Sequence, residues 1–313
     1  MPEITHGERS WSVSEGSNLL EALNSAGLNV PYSCRAGSCH ACMVRCLQGE
    51  PEDAQPDALD KDTRLQGWRL ACQCRVTEDL CVAVFDPERE GVVGRVEGID
   101  WLAEDILRLR LMPERPLRYR AGQHALLWTV GGVARPYSLA SLFGEEAWLE
   151  FHIDCRSPGA FSAAARKLVI GDCLRLGQLH AGALHYEPDW QARPLLLLAS
   201  GSGLAPLWAV LREALRQEHA GPIRLLHFCR GESYLQAPLK RLAERHENLS
   251  VELIDRQQAQ SHLQSLRVTR QELALICGGA GFVEGCAKRM FLAGIPRGQI
   301  LCDAFVVRQV VSG

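Results

Sequence analysis

The chain has no apolar run that approaches the roughly 18 residues needed to cross a bilayer. Its longest candidate, Leu195 to Ala199, has the length of a buried strand, so no membrane span is expected. The opening Met1-Pro-Glu-Ile-Thr-His-Gly-Glu-Arg9 is polar and lacks the apolar core of an export signal. A surplus of either charge is missing too: 34 Lys and Arg stand against 37 Asp and Glu, a formal net charge of −3. The basic footprint of a nucleic-acid binder is therefore absent. What imbalance exists is local, with 15 Asp and Glu but 8 Lys and Arg in residues 1–90. That acidic share fits a docking partner with a basic patch, although acidic surfaces also serve plain solubility.

Cysteine, by contrast, is abundant, with 13 in 313 residues. Without an export signal, so many thiols are expected in a reducing cytoplasm, where they serve clusters or cores and not disulfides. The length suits two or three domains, and 47% hydrophobic with 23% charged residues is ordinary for chains with real cores.

The stretch Pro31-Tyr-Ser-Cys-Arg-Ala-Gly-Ser-Cys-His-Ala-Cys42 organises the rest. It spaces Cys34, Cys39 and Cys42 by four residues and then two, and a distant Cys72 follows in Leu70-Ala-Cys-Gln-Cys74. This is the plant-type ferredoxin spacing for a 2Fe-2S cluster, in which each iron takes two thiolates. Gly37, Ser38 and Ala41 leave room for a loop that turns its amides toward sulfur. A structural zinc site or a redox dithiol are the competing readings of Cys39-x-x-Cys42. The asymmetric Cys34 fits neither well. Cys46, Cys74 and Cys81 are expected to be small buried hydrophobes.

Around the loop, Leu19 to Ala26 has helical spacing with Asn18 as cap. Met43 to Leu47 and Leu80 to Phe85 read as strands, Glu50 to Asp62 as a surface loop, and Asp86 to Gly91 as a polar hinge. Short strands then recur at Val92–Ile99, Ile106–Leu111, Ala125–Val130, Trp148–Ile153 and Cys173–Leu176, the pattern of a small antiparallel barrel. From Arg193 strand and helix alternate, with strands at Leu195–Ala199, Ile223–Phe228, Leu249–Ile254 and Leu273–Cys277, and helices at Leu207–Leu215 and Ala237–Glu247. That alternation makes a doubly wound parallel sheet. Ser200-Gly-Ser-Gly-Leu-Ala-Pro206 is its first turn, where glycines admit a pyrophosphate to a helix start.

These motifs together resemble the ferredoxin-NADP reductase superfamily, in the one-chain form with an N-terminal plant-type ferredoxin that serves bacterial aromatic-ring dioxygenases and soluble monooxygenases. The resemblance covers essentially the whole chain. It implies three domains: a β-grasp-like α+β ferredoxin domain over 1–88, an antiparallel β-barrel flavin domain over 92–190, and an α/β nucleotide domain over 191–313.

Arg135-Pro-Tyr-Ser138 matches the family's flavin motif, implying that Arg135 neutralises the FAD diphosphate, Tyr137 packs on the ring and Ser138 bonds near its reactive nitrogen. Tyr119-Arg-Ala-Gly122-Gln123 is similar to the family's entry to that strand. Gly159-Ala-Phe-Ser162, after Pro158, matches its pyrophosphate motif. FAD rather than FMN is implied by the N-terminal place of the ferredoxin. Gly201, Gly203 and Pro206 are implied in binding the nicotinamide dinucleotide, with Cys277 and Gly278 beside the nicotinamide; Cys277 read by itself is equally a buried strand-end thiol. Arg230 stands where relatives read the adenosine ribose; NADH is expected and NADPH admitted. Phe305, in Cys302-Asp-Ala-Phe305, stands where an aromatic covers the flavin and would act with Ser138 and Cys277 in the catalytic set, and Asp303 is a candidate for proton handling.

Departures from the family are visible. His40 follows Cys39 where glycine is usual, and either tunes the cluster by its charge or is an exposed histidine without a role. The turn after Gly171-Asp172 is replaced by Gly177-Gln-Leu-His-Ala-Gly182, and Gly279-Ala-Gly281 follows Cys277-Gly278. The implied activity is hydride transfer from NADH to FAD, then single electrons through the 2Fe-2S cluster to an oxygenase component or carrier ferredoxin, in a monomer. Alternatives are service to a di-iron monooxygenase or a deoxysugar dehydratase, and a non-catalytic redox carrier or sensor.

Overall fold

The computed structural model describes residues 1–156, 159–180 and 182–305. Pro158 of the pyrophosphate motif lies outside the described residues. By its internal contacts the chain divides into two units. One comprises Met1–Val92, Leu126–Pro136 and Arg175–His180; the other holds the remaining described residues.

The first ninety residues open with strands β1 (Glu3–His6), β2 (Arg9–Ser12) and β3 (Ser17–Asn18), then helix α1 (Leu19–Ser25). Asn18 caps α1, its Oδ1 accepting from the Glu21 amide at 3.3 Å. Leu19, Leu20 and Leu23 face inward at helical spacing and are buried. There follow β4 (Met43–Gln48), β5 (Glu52–Asp53), α2 (Lys61–Leu65), β6 (Trp68–Leu70), β7 (Cys74–Val76) and β8 (Leu80–Val84). A five-stranded sheet has the order β2-β1-β8-β4-β6, and a small one the order β3-β7-β5. The pairing of β1 with β8 is parallel and joins the two ends of the segment. The Glu50–Asp62 stretch expected as a loop instead carries β5 and leads into α2. Asp60 caps that helix, accepting from the Thr63 amide at 2.9 Å.

Six strands form the next sheet: β9 (Val92–Ala103), β10 (Ile106–Pro113), β11 (His124–Trp128), β12 (Ala134–Ser138), β13 (Leu149–Asp154) and β14 (Cys173–His180), with the short helix α3 (Ala160–Ala165) before β14. Their order is β12-β11-β14-β9-β10-β13. The β10–β13 pair is antiparallel throughout, from Ile106 opposite Asp154 to Leu111 opposite Leu149. Gly177–His180, expected as a loop, continues β14. A Cβ at Gly177 would stand 3.1 Å from Leu126 Cβ and 3.3 Å from Trp128 Nε1, so this glycine permits close packing and does not break the strand.

The last sheet is parallel, with β15 (Leu195–Ser200), β16 (Ile223–Cys229), β17 (Leu249–Asp255), β18 (Leu273–Gly279) and β19 (Ile300–Phe305) in the order β17-β16-β15-β18-β19. Helices α4 (Leu204–Arg216), α5 (Gln236–Arg245), α6 (Ala259–Ser265) and α7 (Ala280–Leu292) connect successive strands. The Leu195–Leu198 run explains itself here. Leu195 and Leu197 enter one core cluster and Leu196 and Leu198 the other, because both faces of the sheet are covered. Strand order reverses beside β15, which sets the crevice for a ligand at the carboxyl ends of β15 and β18. Among the described residues no helix is long and apolar enough to cross a membrane.

Candidate functional site: cluster loop, flavin strand and nucleotide turn

The four predicted cluster cysteines come together two by two. Side-chain hydrogen bonds join Cys39 to Cys34 and Cys42 to Cys72. In each pair one sulfur is held toward the thiolate: the bond from Cys39 lowers Cys34 to about 4, and the bond from Cys42 lowers Cys72 to about 7. Their donors are correspondingly raised. Backbone amides point at the sulfurs as well. Ala36 and Cys39 donate to Cys34 Sγ at 3.3 and 3.4 Å, Gly37 donates to Cys72, and Gln73 Nε2 reaches Cys72 Sγ at 3.1 Å.

The loop needs three left-handed residues to do this, Arg35 (φ 51°), Gly37 (φ 79°) and His40 (φ 51°). At Gly37 a Cβ would also meet Gln55 Oε1 at 2.8 Å. Among the described residues no three side chains converge as on a single metal ion. Two pairs of thiols with amides aimed at them fit the two irons of a 2Fe-2S cluster. Of the other cysteines nearby, Cys74 is fully buried, as expected, while Cys46 and Cys81 are half-buried.

His40 is not an exposed residue. It is half-buried, and its ring meets that of His180 edge-on at 5.7 Å. Its neighbours Cys39 and Ala41 pack with Leu126, Trp128, Ala134 and Phe85. One side of the cluster loop is therefore covered by β11, β12 and the end of β14, while Arg35, Ala36 and Ser38 lie at the surface.

The flavin motif lies on β12. Arg135 and Tyr137 share one face of the strand by alternation. Arg135 Nη1 donates to the Ala134 carbonyl at 2.7 Å. The Tyr137 ring lies 4.8 Å from that of Phe161 in α3, and Ser138 is buried. Gly159 precedes α3, and Ser162 Oγ donates back to its carbonyl at 3.1 Å. Within the second unit, the phenol ring of Tyr137 and the hydroxyls of Ser138 and Ser162 are groups suited to a flavin dinucleotide.

The nucleotide turn sits between the ends of β15 and β18. Gly201–Gly203 forms a single tight turn, and α4 starts directly after it with Pro206 in its first turn, where no amide is needed. A Cβ at Gly203 would stand 2.4 Å from the Cys277 carbonyl oxygen, and one at Gly278 would stand 2.9 Å from Ser200 Cβ. Only glycine lets these two backbones meet, and the resulting cradle suits a dinucleotide. Cys277 is fully buried at the end of β18, and burial pushes its thiol well up. Arg230 is exposed one residue past β16. On β19, Asp303 pairs with Cys277 and Phe305 with Gly279; Phe305 is half-buried against the core around Leu197 and Leu275.

Residues that sequence reasoning missed lie around this turn. The Arg156 guanidinium is bonded to Asp154 and lies 3.0 Å from where a Gly201 Cβ would be. His227, buried in β16, contacts the Gly201 carbonyl at 3.1 Å. A lone histidine inside an apolar strand was the only available signal.

Two protein-family models match parts of this chain. Residues 4–77 match the 2Fe-2S iron-sulfur cluster binding domain, and residues 197–288 match the oxidoreductase NAD-binding domain. The reductase component of the naphthalene 1,2-dioxygenase/salicylate 5-hydroxylase systems of a Ralstonia species is 31% identical over 313 residues, covering 93% of this chain and 94% of that protein. The corresponding naphthalene 1,2-dioxygenase reductase of Pseudomonas putida is 29% identical and covers 96% of this chain and 97% of its own. Among solved structures, an Amycolatopsis cytochrome P450 reductase superposes with a TM-score of 0.66 at 26% identity, over 97% of this chain and 99% of that one. With its paired cluster thiols and its glycine-lined nucleotide cradle, the chain belongs to the ferredoxin–NAD(P)+ reductase family, oxidoreductases that join a 2Fe-2S cluster, FAD and NAD(H).

Proposed function

We propose that this reductase takes electrons from NADH in preference to NADPH and delivers them to the oxygenase component of an aromatic-ring dioxygenase. The carrying observation is the sorting of Cys34 with Cys39 and Cys42 with Cys72 in a chain that also builds the Gly203–Cys277 cradle. When bound, FAD accepts a hydride's two electrons at once and the 2Fe-2S cluster carries them singly.

The chain's own residues supply position and environment. Gly201, Gly203 and Pro206 receive the dinucleotide, Arg230 reads its ribose end, and Cys277 and Gly278 orient the nicotinamide. The high position of the Cys277 thiol keeps it neutral, so it packs and hydrogen-bonds without placing a charge beside a departing hydride. Arg135, Tyr137, Ser138, Gly159 and Ser162 hold the flavin, with Ser138 near the reactive nitrogen and Phe305 over the ring. Three domains, 1–88, 92–190 and 191–313, divide these tasks in a cytoplasmic monomer. The acidic excess of residues 1–90 supports a partner with a basic docking patch.

Anaerobic titration of the purified protein with NADH and then NADPH, followed by absorbance and EPR together, tests the reading. Flavin bleaching followed by a reduced-cluster signal, with NADH the better reductant, is expected. A response to neither nucleotide would leave a carrier or sensor. A coupled assay with candidate oxygenase components then identifies the acceptor.

A further inference from the structure

Two runs of hydrogen-bonded polar groups, buried at His152, His227 and Ser233 and half-buried at Arg110, Glu150 and Tyr234, lie in the second unit, and one of them ends on the nucleotide turn. The other begins at Arg110 on β10, whose Nε donates to Glu150 Oε2 at 2.8 Å and whose guanidinium lies over the Trp148 ring. The other carboxylate oxygen, Glu150 Oε1, accepts from His152 Nε2 at 3.0 Å. His152 Nδ1 is then left to accept from the Tyr234 hydroxyl at 3.2 Å. The Tyr234 ring stands edge-on to two imidazoles, His152 at 5.3 Å and His227 at 5.9 Å.

The second run centres on His227. A carbonyl oxygen can only accept, so the 3.1 Å contact to Gly201 assigns the proton to His227 Nε2. Nδ1 therefore accepts from Ser233 Oγ, at 2.7 Å. Ser233 and Tyr234 lie in the connection between β16 and α5, so one short segment fixes the tautomer of His227 and links it to β13.

Buried polar groups of this kind are costly unless every one is bonded, and apolar side chains would fill the same space without that cost. Here they form two bonded runs, Arg110–Glu150–His152–Tyr234 and Ser233–His227–Gly201, joined through the adjacent residues Ser233 and Tyr234, and the second run ends on a turn rather than on another core group. Gly201 is left-handed (φ 55°), and on the turn's other side Gly203 abuts Cys277. The turn is held from both sides.

We infer that His227 is a positioning residue for the nicotinamide dinucleotide: its bond to the Gly201 carbonyl fixes the Gly201–Gly203 turn in its receptive form, Ser233 fixes its tautomer, and Tyr234, His152, Glu150 and Arg110 tie the turn to strand β13. The inference rests on the reading of Gly201–Pro206 as the dinucleotide turn. It makes nucleotide affinity depend on residues outside the Gly201–Pro206 turn itself.

The test compares His227→Gln, His227→Asn and Ser233→Ala in the full holoprotein. Glutamine places a donor near the position of Nε2, whereas asparagine places its amide near Nδ1, and the two differ little in buried polarity. Binding of NAD+ is measured by calorimetry, and KM and kcat for NADH with ferricyanide as acceptor. Asparagine should weaken NAD+ binding and raise KM about tenfold with little change in kcat, glutamine should restore most of both, and Ser233→Ala should fall between. Equal NAD+ affinity in the wild type and the asparagine variant would overturn the positioning role. Gly203→Ala separates this from failure of the turn reading. If Gly203→Ala loses NAD+ binding while His227→Asn does not, His227 alone is excluded; if neither loses it, the turn assignment itself falls.

Discussion

Gly203 lies so close to Cys277 that a Cβ on the glycine would stand 2.4 Å from the cysteine's carbonyl oxygen. Two backbones meet here without side chains between them, and one is the turn before α4 while the other is the end of β18. Gly203→Ala must push them apart. Overpacking of this kind costs about 1–3 kcal/mol, so thermal unfolding of the nucleotide half should fall by several degrees. NAD+ affinity should drop at least about tenfold, as the turn is displaced from the geometry that backbone amides need to meet phosphate. The visible spectrum of the cluster, held in the other unit, should not change.

The two-by-two sorting of sulfurs supports Cys72, not its neighbour Cys74, as the fourth proposed cluster ligand. Cys72→Ser should reduce cluster absorbance and EPR intensity to background. Cys74→Ser places a hydroxyl among Leu19, Val76 and Leu80 in the core. It should cost about 1–3 kcal/mol and retain a full cluster complement by iron and sulfide analysis. A cluster lost from the Cys74 variant while the protein remains folded would contradict the ligand set.

Buried histidines give the second unit a pH dependence with a definite sign. Burial lowers His227 from 6.5 to about 4 and lowers His152 as well, although Glu150 opposes this in the latter. Both are neutral in the folded protein, whereas the unfolded chain takes up protons on them below about pH 6.5. Their neutral forms therefore favour the fold fully above pH 6.5, and that stability is lost as pH falls through the folded values, near 4 for His227. For His227 alone the loss is on the order of 3 kcal/mol. Glu150 adds to the acid side. Burial would push its carboxyl up, but the bonds from His152 and Arg110 outweigh that and hold it at about 2. Urea midpoints should hold from pH 7.5 to about 6.5 and then fall toward pH 4, and His227→Gln should flatten that fall.

Cysteine spacing revealed the cluster loop because a metal cluster leaves a local imprint, four ligands at fixed separations in the chain. The Leu195–Ala199 strand and the Gly201–Pro206 turn were legible for a similar reason: burial on both faces and a close backbone approach each restrict composition within a few residues. Gly177–His180 reads as a loop after the Cys173–Leu176 strand because a glycine that makes room for Leu126 and Trp128 looks, in sequence, like one that interrupts a strand. The Arg110–Glu150–His152–Tyr234 chain left no sequence trace. Its members come from one sheet and from the connection after β16, with His152 and Tyr234 separated by 82 positions, and nothing local to either marks the pairing.

The arrangement of Cys42 with Cys72 has a consequence for the chain as a polymer. On the proposed ligand set three ligands lie in one loop and the fourth arrives after β4, β5, α2 and β6, so iron–sulfur bonds would close a covalent ring around those elements. Ring closure of about that length removes unfolded-chain entropy equivalent to about 3–4 kcal/mol. The cluster is thus a staple as well as an electron carrier, and oxidative loss of iron would loosen the segment from Met43 to Leu70 before it touched the nucleotide half.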